Sequence, residues 1–212
     1  MDLTPEEIRV LGSLVEKQRL TPDAYPLSLN ALRLATNQST SRDPVVDYDE
    51  HTIREALDRL YRRRFARLAS TSGRTSKYRH LLDEALGLAP GELAVLTVLM
   101  LRGAQTPGEL RGRTERMHRF ADAAELQDAL DALVARELVA RLERRPGQKE
   151  ERYAHRLGDD APAPTAPTAA PEPAAAPPAP AAGADEERLA RIEAQLAELR
   201  AEVSALRDAL GD

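Results

Sequence analysis

The run LTPEEIRVL (residues 3–11) returns as LAPGELAVL (residues 88–96), and this recurrence decides how the chain is read. The same offset of 85 carries Thr21-Pro22 onto Thr106-Pro107. Further along, EALDRL (55–60) matches DALDAL (128–133) at an offset of 73, and KYRH (77–80) matches RYAH (152–155) at 75. A chain that repeats itself is two copies of one supersecondary unit before it is anything else. The first copy is longer by about a dozen residues, all between Pro22 and Glu55, and that interval holds the polar run ATNQSTSRDPV (35–45).

Each copy has the same predicted order. Thr4 caps a helix with Pro5 at its first position, and Ile8, Leu11, Leu14 and Val15 recur at helical spacing. A second short helix is expected over 28–36. A third starts near Asp49, burying Ile53, Leu57 and Leu60 while Arg54, Arg62 and Arg63 face out. FARLAS and SKYRH then flank a turn at Gly73, and 138–144 and 151–157 flank Pro146-Gly147 in the second copy, which reads as a hairpin in each. Three helices and a hairpin make a winged helix-turn-helix; a pair of helical hairpins with irregular tails is the alternative. In the second copy, Leu93, Val95, Leu96, Val98, Leu99, Met100 and Leu101 surround the first helix with apolar side chains, so it is expected to be buried on two sides, against the first copy or a second subunit.

The fold class is therefore mainly α with small β-hairpin wings, an α+β chain. Its expected domains are a first winged helix (1–84) with a polar insertion (37–48), a second (85–158), an Ala/Pro linker (159–184) and a C-terminal coiled-coil helix (185–212). The linker cannot bury a core and reaches up to roughly 80 Å if fully extended. Beyond it Leu189, Ile192, Leu196, Leu199, Val203, Leu206 and Leu210 alternate steps of three and four, a heptad seam that predicts homo-oligomerisation, with docking on the chain's own globular part as the other reading.

Residues 1–158 carry 26 Lys+Arg against 24 Asp+Glu, and the remainder 4 against 11, so the chain's acidity sits in the tail and does not exclude nucleic acid. There is no cysteine, which removes disulfides, thiolate catalysis and Cys-ligated zinc. The acidic N-terminus lacks the pattern of an export signal, and the longest nearly apolar run (93–101) is about half of the roughly 20 residues that span a bilayer. A cytoplasmic protein without a membrane segment is expected.

LVEKQ (14–18), TPDAYPLSLNAL (21–32), NQSTSRDPV (37–45), LMLRGAQTPGELRGR (99–113) and RPGQKEERYAH (145–155) together resemble the YceH-like family of bacterial proteins of unassigned function. The resemblance covers nearly the whole chain and implies tandem winged helices with a C-terminal coiled coil, but no established activity. Thr36 stands where the resemblance leads one to expect a small Cys, a packing swap.

No phosphate-binding glycine loop or nucleophile elbow occurs, and His51, His80, His118 and His155 never pair at ligand spacing on one helix, so no enzyme, cofactor or metal site is expected. His80 and His155 end equivalent hairpins, which points to a structural or surface role. For double-stranded DNA, Arg42 in the insertion, Arg54, Arg62 and Arg63 on the third helix, and Arg74 and Lys77 on the wing are the candidate contacts in the first copy. Arg144, Arg145 and Lys149 on the second wing join them. The third helix of the second copy offers Glu125, Asp128 and Asp131, which repel phosphate. The insertion is read as a surface feature beside the recognition helix, either a turn that caps its neighbours or a binding element. The sequence thus leans to a DNA-binding, regulator-like protein; the alternative is an interaction scaffold whose winged-helix surfaces and coiled coil recruit a protein partner.

Overall fold

The computed structural model of the chain describes residues 1–69, 76–142 and 150–158, all within one compact unit. Among them are seven α-helices and two small antiparallel sheets, an α+β arrangement in which the element order of the first half returns in the second. The first half runs α1 (Pro5–Leu20), a 3-10 turn (Pro22–Ala24), β1 (Leu27–Ser28), α2 (Leu29–Thr36), α3 (Glu50–Arg62), β2 (Ala66–Ala69) and β3 (Lys77–His80). A short α4 (Leu82–Leu86), closed by Gly87 in the left-handed region, leads to α5 (Pro90–Arg102), α6 (Pro107–Thr114), α7 (Ala123–Ala135), β4 (Val139–Leu142) and β5 (Arg152–His155). The boundary drawn at residue 84 falls inside α4. The expected linker, the heptad seam and both wing tips, with Arg74, Arg144, Arg145 and Lys149, lie outside the described residues.

Local chemistry sets these elements. Thr4 accepts from Glu7 N (3.3 Å) while the Glu7 carboxylate accepts from Thr4 N (2.7 Å), a reciprocal cap that starts α1. Thr106 and Glu109 do the same for α6 (3.2 and 2.9 Å). The equivalent Thr21-Pro22 opens only the 3-10 turn, because Tyr25-Pro26 follows and α2 waits for its own cap, Ser28. The delay leaves β1 to pair with β3, giving the first sheet the order β1-β3-β2 and a third strand that two residues could not announce by alternation. In the second half that strand shrinks to one bridge between Gln105 and Tyr153.

The hairpin entries repeat closely. Arg64 (φ 62°) and Glu137 (φ 55°) both take the left-handed conformation after α3 and α7, and the next amide bonds back to Leu60 O (2.9 Å) and Leu133 O (3.0 Å). Arg63 and Arg136 repeat as well. Each donates to the chain entering the first helix of its own repeat, to Asp2 O (2.9 Å) and to Leu86 O, and each approaches the glutamate of that helix, Glu7 (4.0 Å) and Glu92 (3.5 Å).

The halves meet through α1 and α5, as the apolar girth of α5 leads one to expect. Every residue from Leu93 to Leu101 is buried, and a Cβ at Gly12 would stand 3.0 Å from Leu101 Cδ2, so a glycine lets the helices approach. The chain end of the second half returns to the start of the first, with Leu3 N donating to Leu157 O (2.8 Å).

The insertion is not a free surface feature. Asn37 pins its ends, its side chain donating to Tyr48 O (2.7 Å) and accepting from Tyr48 N (3.0 Å). Between them Arg42 turns inward: its side chain is wholly buried and forks onto Glu16 (3.0 and 2.6 Å), with further bonds to Ser41 O and Ala35 O. Asp43 N donates to Leu101 O (2.9 Å) at the end of α5, and Arg9 donates to Pro44 O (2.6 Å). The loop is a strap that binds the first repeat to the second: Arg42 and Asn37 tie it inward, while Ser39, Thr40, Asp43 and Asp47 stay exposed.

Candidate functional site

α3 amphipathicity places Ile53, Ala56, Leu57 and Leu60 in the core and leaves an outward row of Glu50, His51, Arg54, Glu55, Asp58, Tyr61 and Arg62. Asp49 caps the helix through Thr52 N (2.7 Å), a bond that holds its carboxyl below the ordinary range. Of the basic residues nominated for nucleic acid, Arg54 is paired with Glu50 (2.6 Å) and Arg63 is the latch just described. The presence of the same latch at Arg136 marks it as part of the fold. Arg42 is removed from the basic surface altogether by its buried pairing with Glu16. Arg62 and Lys77 remain exposed without a carboxylate partner among the described residues, as do Arg64 and Arg67.

The offset of 73 sets α7 beside α3 residue by residue. Glu55 and Asp58 keep their charge as Asp128 and Asp131, whereas His51, Arg54 and Arg62 give way to Ala124, Gln127 and Ala135. Both third helices thus carry two outward carboxylates at the same positions, and only the first balances them with arginine. On α7 the carboxylate row stands without arginine and would repel phosphate, whereas on α3 Arg54 and Arg62 offset it.

Sequence reasoning missed the exposed apolar groups. Among the described residues the large ones are Met1, Leu34, Val45, Tyr61 and Leu68, all in the first repeat. Tyr61 is 62% exposed on α3 and Leu34 is 59% exposed on α2. The signal was present in the spacing: Tyr61 follows Leu60 and Leu34 lies between Leu32 and Ala35, one residue off each buried face.

The histidines at the hairpin ends are structural in the first repeat. The His80 ring is buried between Gln18 Oε1 (2.6 Å from Nε2) and Leu82 N, which donates to Nδ1 (3.2 Å); burial pushes its pKa down to about 4. His155 is pushed down to about 4 by burial alone. Among the described residues no group of three His, Asp or Glu side chains could hold a metal ion, and no helix is long and apolar enough to cross a membrane.

A family model described as "Protein of unknown function, DUF480" matches residues 3–148. A UPF0502 protein of Pelobacter propionicus is 55% identical over 162 residues, covering 76% of this chain and 74% of its own. One of Azoarcus sp. is 52% identical over 160 residues (74% and 71%), and one of Citrobacter koseri 44% over 179 residues (81% and 83%). The chain belongs to this family, the UPF0502 proteins of bacteria, which has no assigned function.

Proposed function

We propose that each repeat is a winged helix-turn-helix and that the pair works as a non-catalytic protein-interaction module, with the first repeat as the contact face. The observation that carries this reading is that, among the described residues, the exposed large apolar side chains all lie in the first repeat, on α2, α3, β2, the strap and the N-terminus. An exposed tyrosine with arginines for neighbours in sequence is the composition of a protein interface core, where aromatic and arginine side chains contribute most of the binding energy. The balanced charge of α3 fits a partner that offers both signs. The heptad seam of Leu189, Ile192, Leu196, Leu199, Val203, Leu206 and Leu210 would join copies of the chain, so that weak single contacts add up.

A second reading keeps DNA as the partner, through phosphate contacts alone. It rests on Arg62, Arg64, Arg67 and Lys77, whose charges meet no carboxylate among the described residues.

A photo-crosslinking residue placed at 34, 61 or 128 in the full chain, together with duplex DNA binding across a salt series, separates the two. The module reading expects discrete protein adducts from positions 34 and 61, none from 128 on α7, and DNA retention only below about 0.1 M salt without sequence preference. A DNA complex that prefers one sequence and is lost in the Arg62→Gln/Lys77→Gln variant would overturn it in favour of the second reading.

A further inference from the structure

A cavity of about 210 Å³ lies where the strap, the start of α1 and the end of the second repeat meet. Leu3, Ile8, Val46 and Met100 give it apolar walls, and four polar side chains also line it, Arg9 and His155 together with Asp43 and Tyr48 from the strap. Arg9 is 4% exposed. One terminal nitrogen donates to Pro44 O (2.6 Å); the other, Nη1, is buried without a partner. No carboxylate lies within ion-pair distance of it among the described residues; Asp43, which lines the same cavity, acts on its charge only from a distance and is itself exposed to solvent. A buried cation with no ion-pair partner and one unbonded arm is costly to retain, and an anion brought to that arm recovers part of the cost.

The internal repeat serves as a control for what the fold itself requires. Arg9 corresponds to Ala94, a plain core residue, so the α1/α5 framework has no need of a cation there. His155 corresponds to His80, whose ring is satisfied by Gln18; the residue equivalent to Gln18 is Gly103, and His155 Nδ1 is left buried without a partner. Gly103 has φ 68°, a backbone that disfavours any side chain, so the chain does not readily fill the place where Gln18 stands in the first repeat. The strap that closes the cavity has no counterpart in the second repeat. Three departures from the repeat therefore converge on one void, and each opens it or arms it.

We propose that this cavity binds a small monocarboxylate with an apolar body, its carboxylate on the free arm of Arg9 and its body against Leu3, Ile8 and Met100, within reach of the unpartnered His155 ring. The volume sets the size class: an apolar cavity of about 150 Å³ holds benzene, so one ring or a short branched chain with a carboxylate fits. A phosphate of two charges suits these apolar walls less well. The neutral imidazole of His155 can donate to or accept from the bound molecule.

The test is a panel of acetate, isovalerate, benzoate and phenylacetate, with benzamide as the neutral counterpart of benzoate, added to the full chain and followed by calorimetry and thermal unfolding. Benzoate or phenylacetate is expected to bind saturably and raise the melting temperature, with benzamide weaker by about tenfold or more. Arg9→Met is expected to raise the melting temperature of the unliganded chain, because it removes an unpaired buried charge, and to abolish the carboxylate-induced rise. Val46→Trp fills the cavity from the strap and is expected to abolish binding without touching Arg9, so the proposal stays testable if Arg9→Met misfolds. Equal binding of benzoate and benzamide, undiminished binding in either variant, or no response to any of the four acids at millimolar concentration would overturn it.

Discussion

The two repeats share a backbone and differ in what covers it. In the second, α5 is apolar on every side and needs nothing but its neighbours. In the first, α1 is as deeply buried, with every residue from Glu7 to Glu16 inside, yet four of them are polar: Glu7, Arg9, Ser13 and Glu16. The position of Glu16 in the first repeat is held by Leu101 in the second. A buried charge in one copy where the other keeps leucine is a local commitment of the first copy, and the strap that supplies Arg42 is its counterpart. Duplication thus separates what the fold requires from what has been added to it.

The largest expected effect breaks this added lock. Arg42→Ala strands Glu16 in the interior and is expected to cost about 3–5 kcal/mol in urea unfolding, as removal of one member of a buried pair does. The double variant Glu16→Leu/Arg42→Met restores an apolar contact like that of Leu101 and is expected to recover most of the loss. A cost below about 1 kcal/mol for Arg42→Ala would show that the strap is not held by this pair, and the first repeat would then differ from the second only on its surface.

Acid is expected to come next. Both hairpin-end rings are held neutral, with pKa values near 4 against an ordinary 6.5. The unfolded chain takes up protons as the pH falls through 6.5 while the folded rings resist until about 4, so stability present above pH 6.5 is lost between those values. The loss is on the order of 3 kcal/mol for each ring. Since His80 is fully bonded and His155 is not, His80→Gln should lower stability at neutral pH through its broken bonds to Gln18 and Leu82. His155→Gln should mainly flatten the acid limb. Identical profiles for the two variants would mean that the repeats treat their histidines alike.

Much of this arrangement was legible from the repeat. The offsets of 85, 73 and 75 place α1 on α5, α3 on α7 and β3 on β5, and the girth of α5 signalled its contact with the first half. Arg42 was misread because polarity in a run such as NQSTSRD is the mark of a solvated loop, and no local pattern reveals that its partner lies 26 residues earlier on a helix covered on all sides. The same covering hid Arg9: polar residues along α1 look like a wet face until α5 and the strap are laid over it. β1 escaped because two residues cannot show alternation. Tyr61 and Leu34 were readable from their offset to the buried faces, but isolated apolar residues among charged neighbours give no periodic signal of their own.

The latch offers a finer comparison. Arg63→Ala and Arg136→Ala remove equivalent donors from equivalent entries, and each is expected to cost about 1 kcal/mol, since the side chains are partly exposed and solvent screens the carboxylate contact. Equal losses, with DNA retention unchanged in Arg63→Ala, would place Arg63 with the fold. A stability-neutral Arg63→Ala that weakens DNA retention would return it to the surface and strengthen the DNA reading.

The smallest effect tests whether the backbone repeat is as close as it looks. Arg64 and Glu137 occupy the left-handed turn where glycine is the usual residue, and an L side chain there carries strain of roughly 1 kcal/mol. Replacement by glycine relieves the strain but frees the unfolded chain, so each of Arg64→Gly and Glu137→Gly is expected to stabilise by no more than about 0.5 kcal/mol. The two are expected to agree within error, because both turns bond back to a core leucine, Leu60 or Leu133. If only Arg64→Gly destabilises, its guanidinium makes a contact that Glu137 does not, and the first repeat has invested this turn too with a role beyond the shared fold.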